Sequence, residues 1–132
     1  MIYNECKSSR KKGKKMGTKI ELVFDPFSLS AEIFDNTVGK AFIELLPLDI
    51  PLQEWGAELY GPIPWKLPED GLVTTISPGS LAYSPPGNLF CIFFGQTPAW
   101  PVSEIGKING DEWKKLKSEP LHSVLVRNAR SH

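Results

Sequence analysis

The sequence predicts a mainly β protein, a small barrel or sandwich of short strands with two helices. Three observations carry this. Twelve prolines and eleven glycines in 132 residues interrupt the chain every few residues, which favours many short elements joined by turns. The apolar stretches between the breaks are short and rich in β-branched and aromatic side chains. Only two segments carry the helical apolar spacing with a capping residue in front.

In chain order, "KIELVFD" alternates loosely and predicts a strand over Lys19 to Phe24, with "SLSAEIFDN" as its hairpin partner across the Pro26 turn. "NTVGKAFIELLPL" places Val38, Ala41, Phe42, Leu45 and Leu46 at helical spacing, predicting a helix from Thr37 to Leu46. Asn36 or Thr37 caps it and Pro47 marks its end. From "EWGAELYGPIPW" onward the breaks leave room only for short strands: Ala57 to Tyr60, Val73 to Ile76, Leu81 to Tyr83 and Leu89 to Phe94. Asp111 is positioned to cap a second short helix from Glu112 to Lys117, and "SVLVRN" closes the chain as a strand. Short antiparallel pieces of this kind are naturally housed in a barrel or sandwich.

The formal net charge is zero, yet six of the fifteen Lys and Arg fall within residues 1–15, beside the single acid Glu5. Residues 1–15 read as a disordered basic tail, or as an extension upstream of a start at Met16, and residues 16–132 as one domain. That domain holds nine bases against fourteen acids. Duplex affinity rests on cations neutralising phosphates, so nucleic acid is not an expected partner of the folded part. Cys6 and Cys91 are the only cysteines, too few for a disulfide framework, and no apolar run is long enough to cross a bilayer. The expectation is a soluble cytoplasmic protein with no membrane partner.

Residues for chemistry are sparse. His122 and His132 are the only histidines and no ligand spacing recurs, so neither a metal nor a cofactor is expected. Cys91 sits in an apolar strand, where a thiol behaves as a small hydrophobe. The pairs Glu54 with Glu58 and Glu69 with Asp70 read as solvent-facing. The aromatic side chains concentrated between the two helices are more informative: a barrel this small cannot hold them all, and alternation sends Phe90 and Phe94 to one face with Phe93 opposite. An aromatic-lined groove on the outside follows.

The blocks "EWGAELYGPIP", "GSLAYSPPGNLFCIFFGQTP" and "IGKINGDEW", in this order, resemble a cyclophilin-like family of small, largely uncharacterised prokaryotic proteins, over Lys19 to Asn128. The resemblance implies a closed antiparallel barrel of eight strands with a helix capping each end. Where true cyclophilins carry a Phe-His-Arg run ending in Ile-Pro, this chain has "LYGPIP", and Gly61 aligns with their arginine. That arginine assists rotation about a prolyl bond whose barrier is about 18–20 kcal/mol. A substrate-holding glutamine aligns with Leu89, the phenylalanine of the proline pocket falls near Cys91, and another polar groove position falls near Glu69. Trp65, Leu67, Phe90, Cys91 and Trp100 align with or adjoin groove positions, with the hydroxyls of Tyr60 and Tyr83 at the margin. The resemblance therefore implies a groove that binds an extended peptide or small apolar ligand without the isomerase arginine. The alternatives are a prolyl isomerase with altered catalytic residues and a partner-binding subunit. No catalytic residue is assigned, and the sequence leaves the oligomeric state open.

Overall fold

The structure, a computed structural model, describes residues 17–118 and 120–129. The basic tail lies outside the described residues. Strands β1 (Thr18–Val23) and β2 (Ser28–Ile33) form the expected hairpin, in register from Thr18 opposite Ile33 to Val23 opposite Ser28. Alternation buries Ile20 and Leu22 from one strand and Leu29, Ala31 and Ile33 from the other.

Helix α1 spans Thr37–Ile43, capped by Asn36, whose Oδ1 accepts from the Gly39 N–H at 2.7 Å. It stops short of the expected Leu46. The Leu45 and Leu46 N–H groups donate to carbonyls three residues back, at 3.0 and 3.2 Å, so the chain tightens ahead of Pro47, which disfavours helical backbone before it. Val38 and Phe42 are buried, and the Phe42 ring stacks on Phe90 with centroids 5.1 Å apart.

The remaining strands are β3 (Leu48–Pro51), β4 (Gln53–Glu54), β5 (Glu58–Pro62), β6 (Leu72–Val73), β7 (Ser80–Ser84), β8 (Leu89–Phe93), β9 (Val102–Ile108) and β10 (Ser123–Asn128). All the pairings are antiparallel, in the order β3-β10-β1-β2-β9-β7-β8-β5-β4, with β6 beside β9 off this path. The expected eight strands thus become nine along a nearly closed barrel, plus the two-residue β6. Of the strand expected over Val73 to Ile76 only Val73 is in a strand, this short β6, and residues 74–76 are not.

Closure explains the extra strands. Residues 48–54 form one bent segment: β3 pairs with β10, β4 pairs with β5, and between them the Leu52 N–H donates to the His122 carbonyl at 2.8 Å. One stretch of chain therefore bonds first to one edge of the sheet and then to the other. Its prolines hid it from a reading based on unbroken alternation. At the seam β5 passes so close to β3 that a Cβ on Gly61 would lie 1.9 Å from the Pro51 carbonyl oxygen and 2.7 Å from Ile50 Cγ2.

The second expected helix, Glu112–Lys117, is a 3-10 helix, and Asp111 makes no side-chain capping bond. Its carboxylate lies 3.6 Å from the exposed Lys114 ammonium instead. The helix is held to the barrel by Glu112, whose Oε1 accepts from the Ser30 N–H at 2.9 Å, and by buried Leu116.

Two apolar clusters result. The larger fills the barrel interior, where Leu59, Leu81, Tyr83, Phe90 and Ile92 meet side chains from β1, β2 and β10. The smaller lies on the outer face of β5, β8, β7 and β9, built from Ala82, Cys91, Phe93 and Val102, with Tyr60, Val73 and Leu89 packed against it.

Candidate functional site

The second cluster is the floor of a pocket. Along β5, Glu58 and Tyr60 turn outward while Leu59 and Gly61 turn in. Along β8, Leu89, Cys91 and Phe93 turn outward while Phe90 and Ile92 turn in. Register places Tyr60 opposite Cys91 and Glu58 opposite Phe93, so four outward side chains form a compact square. Pro98, Ala99, Trp100 and Val102 supply the facing wall, and Trp55 stands at the mouth, around a cavity of about 280 Å³. That is near the lower end of the range for small-molecule sites.

The walls are held by specific bonds. The Trp100 indole N–H donates to Ser84 Oγ at 2.7 Å, and that hydroxyl donates to the Pro86 carbonyl at 2.9 Å. With its nitrogen anchored, the Trp100 side chain is still 44% exposed, and Trp55 is 54% exposed. The Tyr60 hydroxyl donates to Gln53 Oε1 at 3.1 Å. Gln96 clamps the β4–β5 turn: its Oε1 accepts from the Ala57 N–H at 2.8 Å. The same oxygen would lie 2.1 Å from a Cβ on Gly56, whose φ of +62° also favours glycine.

Glu58 is the polar group of the floor. It is only 7% exposed, and desolvation by burial pushes its carboxyl above the ordinary value, partly offset by side-chain hydrogen bonds with Cys91 and Gln96. With Gln96 Oε1 occupied by Ala57, the Gln96 amide NH₂ is the group that donates to Glu58. The Cys91 thiol is pushed well above its usual value, first by burial, then by the charge of Glu58 and the hydrogen bond to it. It therefore stands as a neutral S–H donor rather than a thiolate. Among the described residues no ion pair involves Glu58, and no Lys, Arg or His lines the pocket.

Of the groove residues named from the sequence, Tyr60, Cys91 and Trp100 line this pocket. Gly61 faces the β3 seam. Leu67, Tyr83 and Phe90 belong to the barrel interior. Trp65 is 64% exposed outside the pocket lining. The physical reason is the two-residue period: Tyr60 with Gly61, and Phe90 with Cys91, are consecutive on strands and point to opposite faces. Tyr83 keeps its hydroxyl inside, accepting from the Leu67 N–H at 3.2 Å and donating to Asn88 Oδ1 at 2.5 Å.

The reading of Glu58 as solvent-facing is overturned, because its face neighbours are Phe93, Cys91 and Tyr60 rather than water. Glu54, Glu69 and Asp70 are exposed as expected. Trp55, Glu58 and Phe93 were not singled out for the site. The signal that could have found them is the alternation itself, since Glu58-x-Tyr60 and Cys91-x-Phe93 each mark one face of paired strands. A second depression of about 450 Å³ is lined by Phe34, Thr75, Ile76, Ser77, Glu104 and Lys107, where Glu104 already accepts from Ser80 Oγ at 2.9 Å.

Among the described residues no group of three or more His, Cys, Asp or Glu is arranged to hold a metal, and no helix is long and apolar enough to cross a membrane.

Comparison with known proteins agrees with this architecture. The cyclophilin-like family model matches residues 18–127. No curated protein matches the chain. Among solved structures, the hypothetical protein AF2241 from Archaeoglobus fulgidus superposes with a TM-score of 0.71 at 23% identity, covering 87% of this chain and 97% of that one. McbB, solved in complex with tryptophan, superposes with a TM-score of 0.68 at 15% identity, covering 86% of this chain but 45% of McbB. At these identities both likenesses concern the fold.

Proposed function

Because the chain belongs to the cyclophilin-like family, we propose that it is a ligand-binding barrel that holds a compact, largely apolar small molecule in the outer pocket of β5, β8 and residues 98–102. The observation that carries this reading is a concave apolar floor bordered by two tryptophans kept substantially exposed, one of them fixed by its own hydrogen bond. Exposed aromatic side chains around a cavity supply binding area at low cost in ordering.

An extended peptide has less support, since Leu67, Tyr83 and Phe90, which the resemblance put along the groove, are occupied in the barrel interior. Prolyl isomerisation has less support too. The residue aligned with the cyclophilin arginine is Gly61, and the space a side chain would need there is taken by the Pro51 carbonyl.

McbB shares the fold and was solved with tryptophan, so indole, 3-methylindole and tryptophan are a reasoned first set of probes. Amide and indole N–H shift mapping by NMR tests the reading. Saturable shifts are expected at Tyr60, Cys91, Phe93, Trp55 and Trp100, with Trp65 and Trp113 unmoved. If no probe of the set gives saturable shifts at these positions at millimolar concentration, the pocket is not a site for such molecules. A coupled proline-peptide assay, expected to show no acceleration, tests the isomerase alternative.

A further inference from the structure

The least explained feature of the pocket is a carboxyl group set into its apolar floor. A stable outer face would be served as well by an apolar side chain at position 58, opposite Phe93 and beside Cys91. Burying a carboxyl among such neighbours is costly unless something compensates it. The protein compensates only in part: a carboxylate has about four acceptor sites, and Glu58 is met by one amide from Gln96 and one weak thiol donor from Cys91.

Resting on the reading of this pocket as a ligand site, we infer that its occupant is an organic cation: a compact amine with an apolar or aromatic body, its ammonium group bound by Glu58. Three features select this class. The remaining acceptor capacity of Glu58 belongs to a residue that lines the cavity. Trp55, Tyr60, Phe93 and Trp100 surround the same space, and aromatic faces attract a cation through the ring quadrupole. No positive side chain lines the pocket to neutralise Glu58 or to welcome an anion. The acid excess of residues 16–132 acts in the same direction at longer range.

An ammonium group supplies donors and the opposite charge at once, so its bond to Glu58 is charge-assisted. Cys91 and Gln96 act as positioning residues, holding the carboxylate toward the cavity through their own hydrogen bonds. A ligand carboxylate would face Glu58 across an apolar floor with no counter-charge, and like-charge juxtaposition of that kind discriminates strongly.

The test uses three probes of nearly one shape at pH 8: tryptamine, 3-ethylindole and indole-3-propionate, measured by titration calorimetry on the full chain. Tryptamine is expected to bind on the order of tenfold more tightly than 3-ethylindole, and indole-3-propionate more weakly than either. In Glu58→Gln, which removes the charge from a side chain of nearly the same shape, the ratio of tryptamine to 3-ethylindole affinity is expected to fall to about one. Retained 3-ethylindole binding also reports that the variant is folded.

If tryptamine and 3-ethylindole bind the wild type equally, or indole-3-propionate binds best, the cation inference is overturned although the pocket remains a ligand site. A tryptamine advantage that survives Glu58→Gln overturns the role of Glu58. Failure of all three probes overturns the inference together with the proposed function.

Discussion

Glu58 and Tyr83 are both polar side chains on apolar strands, and their difference lies in which face they share. Tyr83 is fully buried, and its hydroxyl has two protein partners, the Leu67 N–H and Asn88 Oδ1. Tyr83→Phe strips a partner from each and is expected to cost about 1–3 kcal/mol in urea unfolding. A change below the error of such a measurement would mean that water takes the place of the hydroxyl. Glu58 behaves in the opposite sense, because burial raises its carboxyl above the ordinary 4.5. The native state then holds this proton more tightly than the unfolded chain does. Its contribution to stability is fully present below pH 4.5, declines as pH rises through the interval up to the raised value, and is level above it. The thiol beside it, Cys91, is held well above its usual value by burial and by Glu58 itself, so it stays neutral across mildly acidic pH and adds nothing to this dependence. Relative to Glu58→Gln, the wild type should therefore lose stability from pH 4 toward neutrality, as read by denaturant midpoints at each pH. A difference between the two proteins that stays constant with pH would contradict the assigned burial.

At the scale of elements, the decisive contact is the seam where β3 meets β5. Gly61 has no room for even a methyl group, because the nearest atom is the backbone oxygen of Pro51 rather than a side chain that could rotate away. Gly61→Ala is expected to destabilise the fold by at least about 2 kcal/mol, toward the upper range for overpacking, and Gly61→Arg to prevent closure. Unfolding curves for the alanine variant and the soluble yield of the arginine variant check this. A well-folded Gly61→Arg protein would require a seam wider than the one described. This contact also marks the limit of what the sequence disclosed. The β1–β2 hairpin and the alternation in "NLFCIFFG" follow from periodicity and hold in the structure, and of the two caps the sequence offered, Asn36 and Thr37, the helix uses Asn36. The closing segment 48–54 does not follow, because its strand character comes from partners distant in the chain. The site was legible in part for the same reason: Tyr60, Cys91 and Trp100 were reachable through the resemblance to cyclophilins, whereas the face each residue takes depends on register.

At the scale of the whole molecule, one sheet serves two compartments. Its inner face packs the barrel core and its outer face floors the pocket, and β8 contributes alternate residues to each. Stability and binding should then separate between the inner and outer sides of this sheet. Phe90 is fully buried and stacks on Phe42, so Phe90→Ala is expected to cost about 3–5 kcal/mol. Trp100 is 44% exposed and its ring borders the cavity. Its removal gives up one hydrogen bond to Ser84 and partial burial, so Trp100→Ala should cost no more than about 1–2 kcal/mol while abolishing saturable binding of the indole probes. Paired measurements of unfolding free energy and probe affinity for the two variants decide the matter. If Trp100→Ala unfolds the protein as readily as Phe90→Ala does, the outer cluster is part of the core and its aromatic walls serve folding. If Trp100→Ala keeps the fold and loses the probe, the outer face carries a function that the barrel's stability does not require.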